Sequence, residues 1–480
     1  MLLLNGRRAH EADFRDNIAV TARLNMNRAL RFALTLPLLA ASINAHATNG
    51  YFTHGLGVIN KSMAGAGTAT PEEAMAIANN PASAVILDDS TQIGISLFSP
   101  RRSYTASTSL ANGNGGAFTI APGKVGSGRE YFPIPYIAKT WHLDEERALG
   151  LAAYGRGGMN TDYSSGAATF DPDGPGPAPV MTLPGPYGAG NAGVDLSQLF
   201  IEAAFAQRNG DSFSWGISGI FTAQAFEANG VATFAPYTKT FAASGGTILP
   251  DDMSNNSHDT AFGAGAKIGM NWQASPTLAL AISYQSDIYM SDFDDYGSLF
   301  SPDGNFDIPS NIRFGASWQA ADNLRLHYDI DHTNYRDIDA VGNSIRNIFN
   351  CPTAGQGGTD IESCLGGSRG AGFGWNDVTV HKFGISWQPA SHPDWTLRAG
   401  ASKNSQPVES SEVLFNMLAP GVVEKHFTVG ATHRMANDRE YSFTLMFAPG
   451  EKVSGTNSFD PTQTIRLEMH QFELEFAYSW

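Results

Sequence analysis

Residues 311–331 read NIRFGASWQAADNLRLHYDID, and this stretch decides the fold. Ile312, Phe314, Ala316 and Trp318 alternate with Arg313, Gly315 and Ser317. After a short polar break at Gln319–Asn323, Leu324, Leu326, Tyr328 and Ile330 alternate with Arg325, His327, Asp329 and Asp331. A period of two places one set on each face of a β-sheet. The apolar set then faces either a packed core, as in a soluble sandwich, or lipid, as in a membrane barrel whose polar set faces the lumen.

Working outward, Phe383, Ile385 and Trp387 alternate with Lys382, Gly384 and Ser386, and Tyr441, Phe443, Leu445 and Phe447 repeat the pattern. Connection lengths separate the two readings. Short polar turns fall at His142–Arg147, Gln207–Asp211, Gln273–Pro276, Gln319–Asn323, Gln388–Asp394 and Arg434–Arg439. Long Gly/Pro/Asn-rich connections occupy 108–128, 164–192, 230–257, 294–305, 340–371, 408–422 and 456–463. Long and short alternate through about fourteen strands, the loop asymmetry and even strand count of outer-membrane barrels. A soluble β fold has no reason to sort loop lengths by parity. At the chain end Phe472, Leu474, Phe476, Tyr478 and Trp480 form a lipid-facing stripe closing on an interfacial aromatic. Leu467 and Met469 have the opposite parity, which predicts a bulge near His470–Gln471 or a strand top outside the bilayer.

The 480 residues include 51 Gly and 29 Phe with only 16 % charged, which suits many Gly-punctuated strands carrying aromatics. Only one stretch, near the N-terminus, approaches a membrane helix, which excludes the helical membrane class. A net charge of −16 argues against nucleic acid as a partner. From Met26 the chain has a basic n-region at Arg28 and Arg31, an apolar h-region from Phe32 to Ala41 and an A-x-A site at Ala45–Ala47. Residues 1–47 are therefore expected to be an upstream extension plus a signal peptide, with translation starting at Met26 and cleavage after Ala47. Residues 48–90 are Gly- and Ala-rich, with a helical run expected from Pro71 to Ala78 that carries Glu72 and Glu73 in its first turn. This segment cannot bury a core alone, so a place inside the barrel is expected. The expected fold is all-β: a fourteen-stranded antiparallel transmembrane barrel over 91–480 with an N-terminal hatch at 48–90, located in the outer membrane of a Gram-negative-type envelope.

Several motifs carry a family resemblance: GLGVINKSMAGAGTA in the N-terminal segment, the Asn80-Pro81-Ala82 triplet, Tyr154-Gly155 on the third strand, DIPSNIRFGASWQ at 307–319 and the tract 374–408. In these the chain resembles the FadL-type family of outer-membrane transporters for long-chain fatty acids and other hydrophobic molecules. The resemblance implies a plugged fourteen-stranded barrel, substrate capture between external loops, an inner site, and sideways exit at a kink in the third strand. Passive transport down a concentration gradient is expected, by a monomer, with a fatty acid or other hydrophobic small molecule, outer-membrane lipid and lipopolysaccharide as partners.

Candidate residues follow for each step. Phe234, Tyr237, Phe241 and Leu249 in one long connection and Tyr296, Leu299 and Phe300 in the next are an apolar foothold, or else a lid of loops packed on each other. By strand parity Lys267, Arg313, Lys382 and Arg398 face inward, either to meet a carboxylate head group or to pair with Glu202, Asp329, Asp331 or Glu475. Gly155, Gly157 and Gly158 interrupt the third strand and mark a bulge, or the lateral opening that the resemblance suggests. Asn80, Pro81 and Ala82 read as a rigid turn against the wall. Cys351 and Cys364 lie in one external loop, where a disulfide would contribute about 3 kcal/mol in the chain-entropy model.

Two other classes fit parts of the pattern. A general porin or adhesin barrel needs neither hatch nor apolar loops. A barrel-embedded hydrolase would use His327, Asp329, Asp331 and His332, but no Ser nucleophile motif accompanies them. No metal-ligand spacing or nucleotide fingerprint appears, so no enzyme activity, metal or cofactor is expected.

Overall fold

The computed structural model describes residues 49–171 and 178–480. The expected start site and signal peptide lie outside these residues. Fourteen strands form the wall: β1 Ser90–Ala106, β2 Phe132–His142, β3 Arg147–Asn160, β4 Gly193–Asn209, β5 Phe213–Asn229, β6 Asp259–Ser275, β7 Leu278–Gln285, β8 Asn311–Ala321, β9 Leu324–Thr333, β10 Val378–Trp387, β11 Trp395–Asn404, β12 Lys425–Arg434, β13 Glu440–Asn457 and β14 Asp460–Ser479. Each pairs antiparallel with the next. β14 returns to β1 in unbroken register from Gln92↔Ser479 to Ala106↔Ile465, which closes the barrel.

β7 to β12 have 8 to 11 residues, about what a tilted strand needs to cross the hydrocarbon layer. β1, β4, β5 and β6 have 17 residues and β13 and β14 have 18 and 20, so one side of the wall rises well past that layer. Phe314, Phe383, Ile385, Phe443, Leu445, Phe472 and Leu474 all point outward and are exposed. An apolar belt this continuous needs lipid against it. Trp272, Trp318, Trp387 and Trp480 stand near the short-turn ends of their strands and form an interfacial aromatic girdle.

Three sequence expectations need correction. The 456–463 connection is not a long loop: β13 and β14 run on as a tall hairpin joined through Ser458 and Phe459. Of the two readings of Leu467 and Met469, the bulge is absent from β14 and the strand top outside the hydrocarbon layer is what the structure has. Ile465, Leu467, Met469, Gln471, Glu473 and Glu475 all face inward, and the register shift falls instead on β13 between Ala448 and Glu451. The apparent change of phase marks an interior that is apolar near the long loops and polar near the short turns. Finally, no helix starts at Pro71. A 3-10 helix spans Ala74–Ala78, and its preceding residue Glu73 is extended. Glu73 Oε1 instead accepts from the backbone N–H groups of Ile59 and Asn60, at 2.9 Å each, on the separate helix Val58–Ser62.

Residues 49–89 reach inward-facing side chains around most of the wall. Gly67 and Thr68 N–H groups donate to Asp329 on β9 at 3.1 Å. The Ala64 N–H donates to Thr428 on β12, Thr444 on β13 donates to the Val58 carbonyl, and Ser283 on β7 donates to the Asn79 carbonyl. The fit needs glycine on the wall. A Cβ on Gly400 would overlap the Met63 backbone, and one on Gly269 would overlap the Asn80 side chain. The strongest anchor is Lys61, whose Nζ lies 2.5 Å from Glu473 and 2.6 Å from Glu475, all three buried. Lys61→Met would strand two buried carboxylates, at a cost of about 3–5 kcal/mol. The temperature at which the detergent-solubilised barrel unfolds on heating should therefore drop clearly below that of the parent. An unchanged temperature would refute this anchoring.

Candidate functional site

At the long-loop end, the connections around 230–258, 286–310, 334–377 and 405–424 fold over the barrel mouth. They enclose a cavity of about 40 Å³ lined by Val194, Phe226, Val231, Phe234, Leu299, Phe300, Phe373, Phe415 and Leu418, among others. That volume would hold two or three waters, but the lining offers them no polar side chain, so the cavity is dry. Of the expected foothold residues, Phe234, Leu299 and Phe300 line it. Tyr296 stands behind, its ring 4.8 Å from Phe226. Tyr237 packs on Phe459 at 5.5 Å. Phe241 and Leu249 lie outside the cavity, Leu249 being 62 % exposed. The open foothold is thus corrected to a covered pocket, because the loops bury their aromatics against one another. Phe226, Phe373, Phe415 and Leu418 were missed, since the sequence offers no periodicity that groups residues from separate loops.

From this pocket a file of rings descends into the barrel. Phe226 and Phe300 are 4.6 Å apart, Phe300 and Phe306 5.0 Å, Phe306 and Tyr51 6.1 Å, and Tyr51 and Phe52 4.9 Å. It ends at Arg156, whose guanidinium carbon sits 4.2 Å from the Phe52 ring centroid.

The four cations chosen by parity all point inward, and each is already held. Arg313 grips Asp331 at 2.5 and 2.7 Å, and Lys382 meets the same carboxylate at 2.6 Å. Lys267 lies 2.8 Å from Glu202, and Arg398 bonds Glu72. Arg156 differs: it donates to the Gln285 amide and has no ion-pair partner among the described residues. A small cavity of about 10 Å³, room for one water, is lined by Phe52, Leu56, Arg156, Arg313 and Asp331. Arg156 keeps the inward parity of Ala152 and Tyr154, but the glycines at 155, 157 and 158 around it carry no apolar alternation to mark that face.

That irregularity is a break in the wall. β2 pairs with β3 only from Ile137↔Ala153 to His142↔Ala148. Above this, Phe132–Tyr136 still pair with β1, while β3 follows β4 with a register shift between Gly155 and Gly158. The window closes again where the Gly128 N–H donates to the Asp162 carbonyl at 2.8 Å. Gly155, Gly157 and Gly158 therefore mark its β3 edge.

The remaining candidates are placed as follows. Asn80 Oδ1 accepts from the Ala82 N–H at 3.0 Å while its Nδ2 donates to the Met270 carbonyl at 3.1 Å, seating the Pro81–Val85 turn against β6. Cys351 and Cys364 are bonded to each other in the 334–377 loop. His327 Nδ1 contacts the Ser317 hydroxyl at 2.9 Å, but Asp329 is taken by the N-terminal segment and Asp331 by Arg313 and Lys382. Neither carboxylate orients His327, so a hydrolytic triad does not form there. At the short-turn end a polar vestibule of about 550 Å³ is lined by residues including Glu72, Glu73, Arg325, Arg398 and Arg434.

Solved structures share this fold. The Pseudomonas putida toluene transporter TodX superposes with a TM-score of 0.59 at 15 % identity, covering 90 % of this chain and 99 % of that one. A Pseudomonas aeruginosa FadL homologue gives 0.58 at 14 %, covering 92 % and 99 %. The Ralstonia pickettii toluene transporter TbuX gives 0.55 at 15 %, covering 89 % and 98 %. No family model matches the sequence, and no curated protein matches it.

Glu73 gives the site a pH dependence. Burial pushes its carboxyl up to about 7, against the donors Ile59 N–H, Asn60 N–H and Gln92 that pull it down. Between its ordinary 4.5 and about 7 the folded protein holds a proton that the unfolded chain has released, so stability falls as pH rises through that window. Comparing unfolding temperatures at the two ends of the window should show this fall in the parent and a smaller one in Glu73→Gln. Parallel behaviour of the two proteins would refute the assignment.

Proposed function

We propose that this barrel carries hydrophobic molecules passively across the outer membrane. In this reading long-chain fatty acids are the foremost ligand class, monoaromatic hydrocarbons the next, and exit is sideways through the β2–β3 window. The observation that carries the reading is the continuous apolar route from the loop pocket, along Phe300, Phe306, Tyr51 and Phe52, to that window. The fold shared with two proteins described as toluene transporters and with a FadL homologue supports it. Residues 49–89 act as the hatch whose displacement opens the route. The loop pocket receives the ligand first, and Arg156 offers a guanidinium to the head group of an acidic one, since the other lumen cations near it already have carboxylates. The protein works as a monomer without cofactor, and the free energy comes from the concentration gradient and partitioning into lipid.

Reconstitution in liposomes tests the reading. Entry of toluene or radiolabelled oleate should outpace that into empty liposomes, while conductance for small hydrophilic ions stays near baseline. High ion conductance without hydrophobic uptake would overturn it in favour of a porin. Leu299→Glu places a charge in the apolar pocket and should weaken ligand binding by about tenfold or more, roughly 1.4 kcal/mol, in a variant whose β-sheet circular dichroism still matches that of the parent.

A further inference from the structure

At the upper inner corner of the window stand three buried side chains that each carry an unsatisfied polar atom. Arg102 Nε, Tyr104 Oη and Tyr163 Oη make no hydrogen bond among the described residues. Arg102 projects inward from β1, is only 8 % exposed, and its guanidinium carbon lies 5.6 Å from the ring centroid of Phe132, the first residue of β2. The rings of Tyr104 and Tyr163 meet edge to face at 5.1 Å, and Tyr163 and Asp195 are the charged or ionisable neighbours that Arg102 feels. Asp195 does not neutralise it. Its two oxygens accept from Asn160 Nδ2 at 2.6 Å and from Arg129 at 2.7 Å.

A guanidinium is always charged and can only donate. Burying one without an acceptor is costly. The hydroxyls of Tyr163 and Tyr104 are further unsatisfied donors in the same corner, and none of the described residues supplies them an oxygen. The complement of this cluster is an oxyanion.

Its depth narrows the ligand further. On the outer face of β1, Ile93, Ile95 and Leu97 are exposed and apolar, whereas Arg101 pairs with Glu130 and lies 4.9 Å from the ring centroid of exposed Tyr131. Arg101 and Arg102 therefore mark the level at which the apolar belt gives way to the polar interface. An amphiphile with its head at Arg102 would have its tail beside the window, against Phe132 and Ile134.

We propose that Arg102, with the hydroxyls of Tyr104 and Tyr163, binds the carboxylate or phosphate head group of an amphiphile lodged at the β2–β3 window. This site is separate from Arg156, whose guanidinium lies over the Phe52 ring and donates to Gln285. The inference rests on the proposed lateral route only in giving the tail its place. The anion has two sources, an acidic cargo in transit or a lipid of the surrounding leaflet.

Two arms separate the sources. One measures equilibrium binding of radiolabelled dodecanoate to the detergent-solubilised full chain, with dodecanol as the neutral control. The other measures phosphatidylglycerol retained after purification from nanodiscs of phosphatidylglycerol and phosphatidylcholine. Arg102→Gln should weaken dodecanoate binding about tenfold with dodecanol unchanged if the anion is cargo, or abolish selective phosphatidylglycerol retention if it is lipid. Tyr163→Phe removes a single unpartnered oxygen, spares the packing, and should move the same quantity by a smaller factor. The proposal is overturned if both variants, folded by their unfolding temperatures, hold both anions as the parent does, or if the parent holds neither. Toluene uptake by the parent is the control on the transport reading itself. Its absence from the parent would instead refute the proposed transport, leaving the anion measurements to stand alone.

Discussion

Lipid accepts no hydrogen bonds, so every backbone donor and acceptor in the wall must find its partner within the protein. The closed register from β14 back to β1 meets that demand except where β3 leaves β2 above Ala153. There the protein treats the two edges differently. On β2, Pro133 and Pro135 carry no N–H, and the ladder to β1 runs unbroken through both, so the donors they lack are those that would have faced β3. On β3, the first residues of the N-terminal segment step in: the Thr53 N–H donates to the Arg156 carbonyl and the Gly158 N–H to the Tyr51 carbonyl, each at 3.0 Å. Window and segment are thus parts of one hydrogen-bonding solution, and displacing residues 49–53 would uncover the backbone of β3.

The same segment sets the chemistry of the interior. Its tight seating requires glycine on the facing wall, as at Gly269 and Gly400, and it brings Lys61 to Glu473 and Glu475 and Glu72 to Arg398. Buried charges persist only when paired, so most lumen cations are committed to structure. That commitment gives meaning to Arg156 and Arg102, which stand beside the window without an ion-pair partner among the described residues.

The wall was legible in the sequence because lipid and lumen demand opposite side chains at every second position, as Phe314 and Arg313 or Phe383 and Lys382 show. Legibility failed where that contrast disappears. Leu467 and Met469 face inward into an apolar upper interior, so the alternation there reports packing under the loops and not a change of register. Arg156 continues the inward parity of Ala152 and Tyr154, yet its glycine neighbours at 155, 157 and 158 erase the apolar contrast that would have pointed to it. Glu73 was assigned to its own helix because the local spacing favours that, whereas the tertiary fold gives its carboxylate to the start of Val58–Ser62. The loop pocket gathers Phe226, Phe300, Phe373 and Phe415 from four regions of chain, and no local pattern encodes such a meeting.

The layering of the interior also bears on the direction of the proposed route. Straight down the axis, a hydrophobic molecule would have to pass the level of Lys267–Glu202, Arg313–Asp331–Lys382 and Lys61–Glu473–Glu475 before reaching the polar vestibule beyond. Separating any of these buried pairs leaves an uncompensated charge, and an apolar molecule has nothing to offer in return. The sideways route breaks none of them. It runs over aromatic faces, requires only that a short run of backbone give up its bonds to β3, and opens toward the hydrocarbon that an apolar ligand already prefers. The polar layer therefore opposes the axial path, while the proposed lateral one leaves every ion pair intact.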